Sequence, residues 1–75
     1  MLGSLEAQRL FHVSPDDKWK VFRSVHSYPT CLDDITVEAD MSFWSKTFAV
    51  LCKLEDEGLI IIHSEEHLEW RLADD

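Results

Sequence analysis

Cations are scarce in this chain: seven lysines and arginines stand against fifteen carboxylates, for a formal charge of −8. Proteins that grip a phosphate backbone draw their contacts chiefly from Lys and Arg, so this balance works against nucleic acid and suits a basic protein partner. Glycine is nearly absent, with two residues in all, which leaves no glycine-rich phosphate loop. Cysteine occurs only as Cys31 and Cys52, with no CxxC and no metal-ligand spacing. A disulfide-stapled domain of this length normally carries at least about four, so both are expected to be reduced, small hydrophobes. The longest apolar run, Leu59 to Ile62, is far too short to cross a bilayer. Met1-Leu2-Gly3-Ser4-Leu5-Glu6 has neither the basic stretch nor the apolar run of a secretory signal. The expectation is a cytoplasmic protein with no membrane partner.

What is present suffices for one core. Hydrophobic residues make up 45% of the chain, three Trp and four Phe among them, enough for a single compact domain. Such a domain buries only about 60–65% of its unfolded surface, so its stability margin is thin. Residues 1–13 read as a short leader and 14–75 as the domain. Within the leader, Ser4 is a candidate cap for a short turn aiming Leu5, Leu10 and Phe11 at the core.

Ser14-Pro15-Asp16-Asp17 is a strong helix start, with a capping hydroxyl, a proline where no donor is wasted, and acids at the positive dipole end. Trp19, Phe22, Val25 and His26 follow at helical spacing as one apolar stripe, and Tyr28-Pro29 should end the helix. Thr30-Cys31-Leu32-Asp33 reads as the capping box of a second helix burying Leu32, Ile35 and Ala39, with Asp33, Asp34 and Glu38 in water. Ala39-Asp40-Met41-Ser42 is the turn. Ser42 then caps a third helix over 43–57, closed by Gly58. On its wheel Val50, Phe43, Leu54, Thr47, Leu51 and Trp44 form one arc, with Phe48 and Cys52 at the margin. Ser45, Ala49, Lys53, Asp56 and Lys46 lie opposite.

After Gly58 the period changes from helical to alternating. Residues 59–63 and 67–72 pair as a hairpin about Glu65-Glu66. The expected register sets Leu59 against Leu72, Ile61 against Trp70 and His63 against Leu68 on the core side. Ile60 with Arg71, and Ile62 with Glu69, fall on the other side.

The phrases Leu32-Asp33-Asp34-Ile35, Ala39-Asp40-Met41-Ser42 and Leu51-Cys52-Lys53-Leu54-Glu55-Asp56-Glu57-Gly58-Leu59-Ile60 carry a resemblance. The chain resembles prokaryotic winged helix-turn-helix regulators of the MarR and ArsR groups, in which a leucine-rich helix runs through a Leu-Glu-x-x-Gly-Leu-Ile phrase into the wing. The resemblance implies an α+β fold, a three-helix core followed by a two-stranded antiparallel wing, and a DNA-binding transcriptional regulator. Two features depart from that pattern: Phe43-Trp44 stands where the recognition helix usually begins with polar residues, and Glu65-Glu66 occupies the usually basic wing tip. Trp70 is also similar to a position in Z-form nucleic-acid binding domains. That family's Asn and Tyr would fall at Phe48 and Cys52, so its specificity does not carry over.

Two functional readings emerge. In the first, Ser42, Ser45, Lys46, Ala49 and Lys53 present a recognition face to double-stranded DNA, and the protein acts as a homodimer. Lys18, Lys20 and Arg23 of the first helix then add backbone contacts. The bland alternative is that both strips are solvated helix faces. In the second reading the domain is an acidic protein-interaction module without DNA binding. Phe43, Trp44 and Phe48 would be its partner patch, with core positions as their bland alternative. Glu65 and Glu66 favour this reading, because carboxylates repel phosphates. His63 and His67 fall on opposite hairpin faces in the expected register, so no metal site is expected. No nucleophile–base pair suggests an enzyme, and no cofactor is expected.

Overall fold

Ser14 starts the first helix as its chemistry requires: its Oγ accepts from the Asp17 N–H at 3.1 Å, and Pro15 takes the first helical position. The computed structural model describes residues 13–73, so the expected Ser4 cap and the placement of Leu5, Leu10 and Phe11 lie outside the described residues. Helix α1 spans Pro15–Arg23 and stops well before Tyr28-Pro29. Ser24 ends it, its N–H bonding the Val21 carbonyl and its hydroxyl donating back to Lys20 O at 2.9 Å. That local bond competes with further helix. Val25 therefore enters the core from the connection rather than from the helix, and the helical contribution comes from Val21.

Thr30 does not cap the second helix. Thr30–Cys31 forms a short strand, β1, and helix α2 runs Leu32–Glu38 from a Cys31 cap with no side-chain bond. Pro29 biases the residue before it toward extended geometry, and Thr30 itself prefers a strand and pairs with Trp70. The Leu32 N–H donates to Leu68 O at 2.9 Å, fastening the helix start to the hairpin. Leu32, Ile35 and Ala39 are buried and Asp33, Asp34 and Glu38 exposed, as the sequence predicts.

Helices α2 and α3 (Trp44–Asp56) end in the same way. After α3, Gly58 takes φ +77°, its N–H bonds Glu55 O at 3.0 Å, and the Leu59 N–H bonds Leu54 O at 3.1 Å. After α2, Asp40 takes φ +55°, with Asp40 N–H to Val37 O at 3.1 Å and Met41 N–H to Thr36 O at 3.0 Å. Both are Schellman turns, which satisfy the last carbonyls through one left-handed residue. The start of α3 departs from expectation. Its cap is Phe43, which has no capping side chain, and Ser42 lies one residue too early and is exposed.

Strands β2 (Ile60–Ser64) and β3 (Glu69–Leu72) form the hairpin, and β1 joins β3 on its other side, giving the antiparallel order β1-β3-β2. The register is one residue off the expected one along β2: Ile60 pairs with Leu72, Ile61 with Arg71, and Ile62 with Trp70. Ile60, expected outside, has no exposed surface, while Ile61 is half-buried. The cause lies at both ends of β2. The Schellman turn holds Leu59 in the helix cap, and a bulge between Ile62 and Ser64 takes up His63 as an unpaired residue. Trp70 faces inward as expected. It joins Val21, Ile35, Val50, Leu51, Leu54 and Ile60 in the centre of the core.

Candidate functional site

The expected recognition strip of α3 is less open than its wheel suggested. Ala49 has no exposed surface at all, and Ser45, Lys46 and Lys53 are half-buried; of the five, only Ser42, ahead of the helix, is exposed. Lys46 reaches across to α1, where its ammonium lies 3.1 Å from Asp17. Burial works against the Asp17 carboxylate, yet the Lys46 and Ser14 hydrogen bonds outweigh it and hold its pKa below the ordinary value. Lys18 is likewise paired with Glu57 beyond the end of α3. Lys20 points to the Asp40 carbonyl at 3.5 Å, a weak contact. Two lysines that could have met phosphates are thus balanced within the molecule.

The aromatic patch divides differently. Phe43 and Trp44, placed by the sequence on the buried arc, are 65% and 60% exposed. The arc's other members, Thr47, Val50, Leu51 and Leu54, are fully buried. Phe48, expected to be the most exposed of the three aromatics, instead packs edge-on against Trp70 with ring centroids 6.1 Å apart. The wheel fails at the helix start: Phe43 is the cap, with extended backbone, and Trp44 is the first helical residue.

Below Trp44 on the same face of α3 lie Phe48, Cys52 and Glu55, at spacings of four, four and three. They form one wall of a groove of about 550 Å3 whose opposite wall is the hairpin, through Ile62, Leu68, Trp70 and the tip residues Glu65 and Glu66. The floor is apolar and the rim acidic. Trp70 closes the floor, its indole N–H donating to Glu55 Oε1 at 3.2 Å. Cys52 is 6% exposed here, and burial, with Glu55 and Asp56 adding to it, pushes its thiol up to about 11. It is a packing group and not a nucleophile at neutral pH. Sequence reasoning missed this groove because it forms only when the bulged hairpin leans over α3; the signal present was the acidic pair Glu65-Glu66 beside a run of apolar strand residues.

His63 and His67 are both exposed, and among the described residues no group of three or more metal-ligating side chains assembles. No helix of the described residues is long and apolar enough to cross a membrane. Comparisons with protein-family models, with curated proteins and with solved structures return no match.

Proposed function

We propose that this chain is a winged-helix module that docks a protein partner and does not read DNA. The order α1-β1-α2-α3-β2-β3, with β1 and β2 flanking β3, supports the winged-helix reading. The observation that carries the functional choice is the exchange of roles on α3. Of its two cations, Lys46 is committed to Asp17 and Lys53 is half-buried, Ala49 is buried, and the exposed positions at its start belong to Phe43 and Trp44. Large aromatics held in the open by a rigid helix start are a means of burying area against another protein at small entropic cost. A phosphate backbone approaching the same helix would meet few available cations and, at the wing, two carboxylates.

The test is a titration with mixed-sequence duplex DNA near 20 mM salt, where the screening length is on the order of 20 Å and weak phosphate contacts should still register. The docking reading expects no retention. Retention that disappears in the variant Lys46→Glu/Lys53→Glu would overturn it and restore the regulator reading, with a dimer as its assembly.

A further inference from the structure

The docking reading leaves open what the partner presents, and the groove between α3 and the hairpin bears on that question. We infer that this groove receives a short partner segment that is apolar on one face and carries Lys or Arg beside it. The inference rests on the docking reading and narrows it to one site and one chemistry.

Three observations converge. The floor is lined by the half-buried apolar side chains Phe48, Ile62 and Leu68, with the buried Trp70 beneath them. Every charged side chain lining the groove is a carboxylate: Glu55 on α3, Glu65 and Glu66 at the hairpin tip. Among the described residues no cation shares the lining, and the field of these carboxylates favours a positive ligand. Finally, Trp44 stands one helical turn above Phe48 on the same face, 60% exposed, and extends the apolar track beyond the groove's end.

These features exclude the alternatives in turn. A nucleic acid or an acidic peptide would be repelled at the rim. A wholly apolar segment would leave Glu65 and Glu66 beside unpaired surface without gaining from their charge. An amphipathic basic segment satisfies both the floor and the rim, its apolar residues at helical spacing filling the track while its cations meet the carboxylates. Glu55 has a further part. Its bond to the Trp70 indole ties the α3 carboxylate to the hairpin residue beneath the floor, so the carboxylate holds the two walls together as well as contributing charge.

The probe is an amphipathic leucine–lysine peptide of about fourteen residues, enough for roughly four helical turns. It is titrated into the 15N-labelled full chain. The expected result is a shift of the Trp70 indole N–H and of the Phe48 and Ile62 amides, with the Trp19 indole unmoved. The variant Glu65→Gln/Glu66→Gln alters exposed tip residues outside the core and should weaken the peptide by about tenfold. A peptide of the same composition with its leucines scattered around the helix should bind at least about tenfold more weakly than the amphipathic one. Equal binding of the two peptides, or shifts centred on α1 instead of the groove, would overturn the inference. Absence of any shift, with duplex DNA also not retained, overturns the groove alone and leaves docking through Phe43 and Trp44 standing. Retention of duplex overturns the docking reading itself.

Discussion

The two Schellman turns place the same backbone demand on different residues, and that difference predicts opposite responses to substitution. Gly58 sits at φ +77°, and a Cβ built there would meet nothing within 4 Å. The cost of Gly58→Ala is therefore backbone strain alone, with no steric clash added. A left-handed conformation costs an L-residue roughly 1–2 kcal/mol. Removing glycine also restricts the unfolded chain, which returns about 0.4–1 kcal/mol. The net loss should be about 1 kcal/mol. Asp40, at φ +55°, already bears such strain, softened because Asp tolerates this region better than most residues. Asp40→Gly should therefore be neutral or stabilising by up to about 1 kcal/mol, the relief of strain being partly offset by unfolded-state freedom. Urea unfolding followed by far-UV circular dichroism reads both changes as shifts in midpoint at constant slope. A Gly58→Ala loss above about 3 kcal/mol, or an Asp40→Gly loss above about 1 kcal/mol, would refute the reasoning and show that side-chain contacts, not φ, decide these turns.

Leu51→Ala should cost about 2–5 kcal/mol, since Leu51 has no exposed surface and lies among the core residues of all three helices; a urea midpoint changed by less than the equivalent of about 0.5 kcal/mol would place α3 in the wrong rotational phase. Cys52 should resist iodoacetamide at pH 8 in the native protein and react once urea unfolds it, because its thiol titrates near 11 in the fold; mass spectrometry after timed alkylation checks this, and rapid native labelling of Cys52 would contradict its burial. Asp17 has a depressed pKa, so its contribution is complete above the ordinary carboxylate value and is lost as pH falls through the folded value. Asp17→Asn should accordingly flatten the loss of stability at the acid end, with an effect at neutral pH below about 1 kcal/mol because the pair lies near the surface; an unchanged acid profile would remove Asp17 from the account.

The features legible in the sequence were those fixed by local chemistry. Ser14-Pro15 started a helix, Gly58 closed one, and Leu32, Ile35 and Ala39 formed a buried edge, all as read from residue type and spacing. Where tertiary pairing competed with local preference, the reading shifted. Thr30 had the chemistry of a cap, yet Trp70 across the sheet drew it into a strand. The β2 register depended on a helix-end turn and a bulge, neither of which alternation alone can reveal. For the site, the wheel placed Phe43 and Trp44 with the core because it treats every position as fully helical, whereas Phe43 is the cap and Trp44 the first residue of α3, and both are exposed. The acidic tip was visible in Glu65-Glu66; the apolar floor beneath it was not, since it needs α3 and the bulged hairpin brought together.

The central claim, that the exposed start of α3 meets a protein, is tested most directly by photo-crosslinking from that position in living source cells. A photoreactive phenylalanine analogue replaces Trp44 in one variant and Val37 in another, Val37 being 81% exposed and carried by α2, not α3. The account predicts discrete protein adducts from position 44 that are absent from position 37 and insensitive to nuclease. Nuclease-sensitive adducts from position 44, or the same adducts from both positions, would contradict it.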